Sequence, residues 1–250
     1  MPVLGLVTIG SLIISVDQIK YTIMKKIIFW TALISVVTLF VGACAKRDDT
    51  TITATAVTCD RTASGSITVG SDTVSSSYLM YTGSTPVTGC IAMTDAAFPT
   101  GTQSLKQQRI ITSSTSFVDY VGYFSDTECT STSVISYQYQ KYSSVSVGDQ
   151  VTGLATSGGR PSSAYKVTYK SDCATAKGET DSGTELLNYY YSNSGVYLTT
   201  GTEQTFSTET TQSTYNIWAS GNSGSSFYDG SRSNTDYPSD WDTNDSTFVK

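Results

Sequence analysis

The chain has 250 residues, with 15 lysines and arginines, 21 aspartates and glutamates and no histidine. From Cys44 onward it holds 12 basic and 20 acidic residues, which gives a net charge of −8. Nucleic-acid binding relies on lysines and arginines that neutralise phosphates, so no nucleic-acid partner is expected. The lack of histidine excludes Ser-His-Asp and Cys-His catalytic arrangements and argues against a zinc site.

The first predicted element is a secretory signal peptide over residues 24–43. It begins Met24-Lys25-Lys26 and continues as an apolar run over residues 27–40. A short positive segment, an apolar segment and small residues at the cut are the parts of such a signal. The apolar run is shorter than the ~20 residues that span a bilayer as a helix. Residues 1–23 are interpreted as an extension from a start codon placed too early; the alternative is two hydrophobic segments in tandem.

A lipid anchor is predicted at Cys44. The stretch Leu39-Phe40-Val41-Gly42-Ala43-Cys44 resembles the lipobox of bacterial lipoproteins. The resemblance implies that the Cys44 thiol takes a diacylglycerol group and that a peptidase cuts between Ala43 and Cys44. The alternative is an uncleaved membrane helix with an incidental cysteine. The protein is therefore expected in the bacterial cell envelope, and Ala45 in place of an aspartate favours the outer membrane.

Three further segments are predicted behind the signal peptide: a tether over residues 44–58, a β domain over 59–218 and a polar, flexible tail over 219–250. Threonine, tyrosine and valine, which favour strands, are frequent in the β domain, and the whole chain holds 17 tyrosines. Alternating and turn-bounded runs predict strands at 66–69, 73–74, 78–81, 108–113, 116–124, 133–142, 165–170, 186–191, 196–200 and 215–218. Residues 145–151 are interpreted as a turn.

Four cysteines besides Cys44 predict two disulfide bonds. They are Cys59, Cys90, Cys129 and Cys173. An even number of cysteines in an exported chain indicates a disulfide framework, and four cysteines allow three pairings that spacing does not rank. No Cys-x-x-Cys pair occurs, which argues against a redox motif. The alternative is free buried thiols.

The many short strands predict an all-β domain, either an antiparallel barrel or a β-sandwich. Thr88-Gly89-Cys90-Ile91, then 123–129, then tyrosine-rich strands and 196–201, resemble the lipocalin-like lipoproteins of bacterial envelopes. The chain lacks the tryptophan of the Gly-x-Trp pattern usual in lipocalins. The resemblance implies a meander that closes into a barrel, with alternate residues of 117–123 and 135–139 facing the interior. Such a barrel can hold one small ligand, or its aromatic residues can fill the core.

Three short patterns are candidates for chemistry. Ser163-Ala164-Tyr165-Lys166 matches the Ser-x-x-Lys of penicillin-recognising enzymes, but it leads into a strand where that motif requires a helix. Asp240-x-Asp242-x-Asn244 starts like an EF-hand calcium loop and lacks the required glycine and final glutamate. Two pairs of carboxylates are candidates for the catalytic pair of a glycosidase. The alternative is that they are solvated carboxylates in turns. These pairs are Asp126 with Glu128 and Glu203 with Glu209.

The expected function is a lipid-anchored, non-catalytic envelope protein whose lipocalin-like domain binds a small apolar or amphipathic ligand. The second candidate is a surface-exposed adhesin or structural interaction protein with a protein partner, and a hydrolase is the third. No catalytic, cofactor-binding or metal-binding residue is predicted. A cavity lined by tyrosine, phenylalanine and valine would favour the first candidate, and an interior filled with side chains would favour the second.

Overall fold

The computed structural model describes residues 57–81, 89–93, 99–156, 159–242 and 246–250. In these residues the strands are β1 (Ser66–Val69), β2 (Asp72–Ser75), β3 (Ser77–Met80), β4 (Cys90–Ala92), β5 (Ser104–Ser113), β6 (Ser116–Phe124), β7 (Val134–Thr152), β8 (Ser163–Gly178), β9 (Gln204–Ser207), β10 (Thr214–Gly221), β11 (Ser226–Asp229) and β12 (Ser246–Val249). The helix α1 (Asp181–Tyr191) lies between β8 and β9. No helix in this part of the chain has the length and apolarity needed to cross a membrane.

Eight strands close into an antiparallel barrel. Going round the barrel, β3, β5, β6, β7, β8, β10, β11 and β12 follow one another in chain order. β12 then pairs back with β3, with Phe248 opposite Met80 and Val249 opposite Leu79. The predicted antiparallel meander that closes into a barrel is therefore confirmed, and the sandwich alternative is wrong.

The long central strands extend beyond the barrel as an open sheet. β4 pairs with the first residues of β5, and β9 pairs with the last residues of β8. Helix α1 covers the inner face of this extension, where Leu187 and Tyr191 pack against Ala174 and Ala176 of β8. The helix begins directly after its N-cap residue Thr180, whose side chain accepts a hydrogen bond from the Gly183 backbone N–H.

The other end of the barrel is closed by the hairpin of β1 and β2. Its apolar residues Ile67, Val69 and Val74 are buried in the same core cluster as Phe117 and Trp218 of the barrel. The turn needs a glycine at position 70, since φ is +66° there and a Cβ would lie 2.4 Å from the ring of Tyr165. Thus the hairpin predicted around residues 70–72 forms, and it plugs the barrel end.

Two local predictions inside the domain are wrong. Residues 186–191, expected as a strand, lie in α1, because Leu187 and Tyr191 share one helix face that has an apolar surface to cover. Residues 196–200 form no strand; the Asn188 side chain instead bonds both the N–H and the C=O of Leu198. Residues 145–151, expected as a turn, belong to β7, which continues through register shifts in its pairing with β8.

The expected tail over residues 219–250 is the largest correction. Its residues supply β11 and β12, so the domain runs to Val249 and does not end at residue 218. The segment is polar overall, but Phe227 and Phe248 point into the core and are at most 5% exposed. A barrel strand needs only alternate apolar residues, which a mainly polar composition conceals.

This role of β12 predicts unequal effects for two neighbouring substitutions. Phe248→Ala removes a buried ring and should lower the free energy of unfolding by about 3–5 kcal/mol. Val249→Ala, on the outer side of the same strand, should cost less than about 1 kcal/mol. Urea unfolding followed by circular dichroism measures both. Equal and negligible effects would mean that residues 246–250 do not belong to the folded domain.

Candidate functional site

The barrel interior is the first candidate site, because a lipocalin-like domain would hold its ligand there. It is filled by the chain's own aromatic side chains. The ring of Phe117 stacks on Tyr142 with centroids 4.8 Å apart, and it meets Trp218 edge-on at 5.3 Å. Trp218 in turn meets Phe227 at 5.0 Å. These four residues are all buried, so the centre of the barrel is packed core.

An ion network lies within this aromatic core. Arg109 of β5 is fully buried, and its Nε and Nη2 donate to the two carboxylate oxygens of Asp119 at 2.7 and 2.9 Å. The same Nη2 donates to Oδ2 of Asp229 at 2.9 Å. Arg232 donates to Asp119 as well and to the Tyr142 hydroxyl. Two cations and two anions therefore neutralise one another and join β5, β6 and the end of β11.

Aromatic rings surround the Arg109 guanidinium on its remaining sides. Its Cζ lies 4.5 Å from the ring centre of Phe117, 5.2 Å from that of Phe227 and 5.1 Å from that of Phe248. Nη1 has no hydrogen-bond partner in the part of the chain that the structure describes. The ring faces therefore take the place of a hydrogen-bond acceptor, an arrangement that stabilises a desolvated cation by about 2 kcal/mol.

The pKa shifts of Arg109, Asp119 and Arg232 hold all three side chains in their charged forms. Burial alone would raise the pKa of Asp119, but the charges of Arg109 and Arg232 hold it below its ordinary value of 3.8. Burial likewise opposes the charge on Arg109, and Asp119 and Asp229 overcome it and raise the pKa of Arg109. A catalytic acid or base needs a pKa near the working pH. This network is suited to joining strands and not to moving protons.

A second candidate lies on the outer surface of the sheet. We call it the tyrosine face: Tyr120 of β6, Tyr137 and Tyr139 of β7, with Arg61 and Glu203 beside them. Tyr120 and Tyr139 are cross-strand partners with ring centres 4.8 Å apart, and Tyr137 lies 5.8 Å from Tyr139. The expectation that alternate residues of 135–139 face the barrel interior is thus wrong for Tyr137 and Tyr139, because β7 turns their side chains to the face opposite Phe117.

Polar groups fix the rings of the tyrosine face. The Tyr137 hydroxyl donates to Glu203 Oε2 at 2.5 Å, and Arg61 Nη2 donates to Glu203 Oε1 at 2.9 Å. The guanidinium of Arg61 lies 4.5 Å above the ring centre of Tyr139. All three residues remain partly exposed. Tyrosine combines an apolar ring with a polar tip, so a cluster of this kind suits a boundary between water and an apolar phase.

A disulfide bond joins the start of the domain to β8 beside this face. Cys59, which precedes Arg61 by two residues, is bonded to Cys173 of β8. The second disulfide joins Cys90 to Cys129. The prediction of two disulfides from these four cysteines is confirmed, and the structure selects one of the three possible pairings. Ala43 and Cys44, the predicted cleavage and lipidation residues, lie outside the described residues.

The other sequence candidates are separated or already bonded. Ser163 and Lys166 stand three residues apart on β8, so their side chains leave opposite faces of the sheet. Asp126 accepts hydrogen bonds from the backbone and hydroxyl of Thr130 in a loop. Asp240 accepts from the Ala155 backbone N–H, and Asn244 lies outside the described residues. Within those residues, no group of three or more acidic, cysteine or histidine side chains could hold a metal ion.

Sequence reasoning missed the ion network, although a signal for it exists. Arg109 and Asp119 lie within the runs 108–113 and 116–124, which are both predicted as strands. With the turn between Ser113 and Ser116, the hairpin register places these two charges opposite each other. An arginine and an aspartate that face each other on the inner side of a hairpin indicate a buried ion pair.

No known family model matches the chain, and no curated protein matches it significantly. Function is therefore inferred from the packing, charge and exposure of its own residues.

The ion network predicts how stability depends on pH. The lowered pKa of Asp119 stabilises the folded state above the unfolded value of 3.8, and this contribution is lost as the pH falls through the folded pKa. Arg109→Met leaves Asp119 and Asp229 buried with one partner fewer and should cost about 3–5 kcal/mol at pH 7. The variant should also lose less stability than the native protein on acidification.

Urea unfolding at a series of pH values between 7 and 3 measures both effects. Lys170→Met, which removes a partly exposed cation from β8, is the control and should change stability by about 0.5 kcal/mol or less. If Arg109→Met is no more destabilising than this control, the network does not hold the barrel together.

Proposed function

We propose that the protein is a lipid-anchored, non-catalytic interaction protein of the bacterial cell envelope. The barrel acts as a rigid scaffold that presents its surface to partners outside the membrane, as in an adhesin. The observation that carries the proposal is the filled interior. Aromatic rings and a neutral network of two arginines and two aspartates occupy the space where a lipocalin-like barrel would hold its ligand.

The filled interior weighs against a small ligand inside the barrel. A site for a small molecule is typically a cleft of about 300 Å³ or more. Making such room here would displace Trp218 or Phe117 and expose the charges of Arg109 and Asp119. Breaking a buried ion pair alone costs about 3–5 kcal/mol. The second of the functions expected from the sequence is therefore the better supported one.

The anchor and the tyrosine face belong together in this account. Cys44 precedes Cys59 by 15 residues, a length of chain that spans at most about 50 Å. Cys59 is bonded to Cys173, next to Arg61 and Tyr139. In a protein lipidated at Cys44, the tether would therefore join the folded domain beside the tyrosine face. Tyrosine is enriched at membrane–water interfaces, so the face is suited to rest against lipid head groups.

This orientation lays β6 and β7 along the membrane, because the rings of the tyrosine face project from the outer surface of the sheet. Along β8, Ser163 lies ten residues from Cys173, a distance of about 33 Å at the usual strand rise. The β1–β2 hairpin lies near Ser163. The proposal is thus a scaffold anchored at Cys44 and seated on the tyrosine face, which meets its partners with the surfaces turned away from the lipid, such as the side covered by α1.

The proposal predicts a lipid-dependent protection of the tyrosine face. The lipidated protein in vesicles of phosphatidylethanolamine and phosphatidylglycerol should show lower hydroxyl-radical oxidation of Tyr120, Tyr137 and Tyr139 than the Cys44→Ser protein mixed with the same vesicles. Tyr189 and Tyr197, which are 65% and 70% exposed, are internal controls and should oxidise equally in both. Mass spectrometry of the peptides measures the oxidation.

The same pair of proteins tests the anchor itself. Cys44→Ser should lose the mass of the lipid and move from the detergent phase to the aqueous phase in a partition assay. An unchanged mass and partition would overturn the anchor. A lipidated protein with equally oxidised tyrosines would keep the anchor and overturn the seating of the tyrosine face.

A further inference from the structure

Two lysines flank the tyrosine face on its own side of the sheet. The strand pairing sets four residues side by side in one row across β5 to β8: Lys106, Gly122, Tyr137 and Lys177. Residues directly opposite each other on paired strands project from the same side of a sheet. Lys106 and Lys177 are both partly exposed. The tyrosine rings therefore lie between two basic side chains that can reach the same neighbouring surface.

Two more lysines lie on this side of the sheet. Lys141 follows Tyr139 by two residues on β7, and side chains two residues apart on a strand share one side. Lys170 of β8 follows Tyr169, which is buried in the barrel core, so Lys170 projects outward. With Arg61, five basic side chains lie among or beside the three rings.

Two of these five cations are without an acidic partner. The other three form ion pairs with neighbouring carboxylates: Arg61 with Glu203, Lys141 with Asp172 and Lys177 with Glu179. Within the part of the chain that the structure describes, Lys106 and Lys170 take part in no ion pair. Their charges are therefore available to an anion outside the protein.

The rest of the protein surface is acidic. The described residues include ten basic and sixteen acidic side chains. Five of each belong to the side with the tyrosine face, where the acidic ones are Asp60, Asp172, Glu179, Glu203 and Glu209, and two of each belong to the buried ion network. This leaves three basic and nine acidic side chains elsewhere. Helix α1, which covers the opposite side of the sheet, carries two exposed carboxylates, Asp181 and Glu185.

We propose that the tyrosine face binds the phosphates of anionic phospholipid head groups, with Lys106 and Lys170 as the cations that contact them. An anionic lipid surface attracts lysines that lie close to it. The same surface repels the acidic sides of the domain, so charge selects which side meets the membrane. A lysine can lay its apolar stem along a neighbouring ring while its ammonium group reaches a phosphate.

This inference rests on the proposed function, because it names the class of lipid that the seated face meets. A membrane is the occupant that the position of the tether favours. The tether joins the domain at Cys59, which is bonded to β8 beside Arg61, so a lipid on Cys44 would hold this side of the sheet close to the bilayer. Confinement of this kind raises the effective concentration of head groups at the two lysines.

The test measures how strongly lipid charge controls the seating of the lipidated protein. The protein is placed in vesicles of phosphatidylethanolamine mixed with either phosphatidylglycerol, which is anionic, or phosphatidylcholine, which is neutral overall. Hydroxyl-radical oxidation of Tyr120, Tyr137 and Tyr139 is compared with that of Tyr189, which is 65% exposed. The three tyrosines should be better protected with phosphatidylglycerol. Salt at about 0.5 M should remove most of the difference, because it screens exposed charges.

Two variants locate the cations. Lys106→Gln and Lys170→Gln should each lower the ratio of seated to unseated domain in phosphatidylglycerol vesicles about fivefold, the factor that one lysine near an anionic lipid surface contributes. Lys250→Gln removes the same charge from an exposed position directly after β12 and is the matched control, which should leave the protection unchanged. An unchanged midpoint of urea unfolding shows that each variant keeps its fold.

The outcomes separate this inference from the proposed function. Equal protection in the two kinds of vesicle, or lysine variants that behave like Lys250→Gln, would overturn the binding of anionic head groups and leave the seating intact. Tyrosines that oxidise freely in every vesicle would overturn the seating as well. Protection that appears in detergent without vesicles and rises with protein concentration would assign the face to a second copy of the chain and overturn the inference.

Discussion

The packing of the barrel depends on the buried ion pairs that Arg109 forms with Asp119 and Asp229. A guanidinium that is fully buried must find charged partners on several strands, and here Asp119 and Asp229 supply them from β6 and β11. A buried arginine left without them would destabilise the fold by several kcal/mol. The rings around it exclude water and complete its surroundings. The network thus fills the space that a ligand would need, and it joins distant segments of the chain.

Much of the barrel is predictable from local sequence. The run 133–142, which became the first part of β7, alternates in the way a half-buried strand requires, and the glycine at position 70 marks the turn of the β1–β2 hairpin. The elements that local sequence predicts wrongly depend on contacts between residues far apart in the chain. Residues 186–191 are apolar enough for either a strand or a helix, and the Thr180 cap and the surface of β8 decide for a helix. β11 and β12 are polar strands held by single inward residues such as Phe227 and Phe248.

The candidate sites were predictable to a smaller degree. The four cysteines indicated two disulfides, but only the folded chain brings Cys59 next to Cys173 and Cys90 next to Cys129. The tyrosine face depends on the register that sets Tyr120 opposite Tyr139, which no spacing along the chain reveals. The predicted anchor at Cys44 stays a prediction.

The central claim is that the interior of this barrel is its own core and holds no ligand. The most direct test compares native and denaturing mass spectra of the chain from residue 45, exported into a bacterial periplasm. The account predicts one apo mass under both conditions, lower than the reduced chain by about two hydrogens for each of two disulfides. An added mass that is released on denaturation and is identified as a lipid or another apolar molecule would contradict it and restore the ligand-binding barrel.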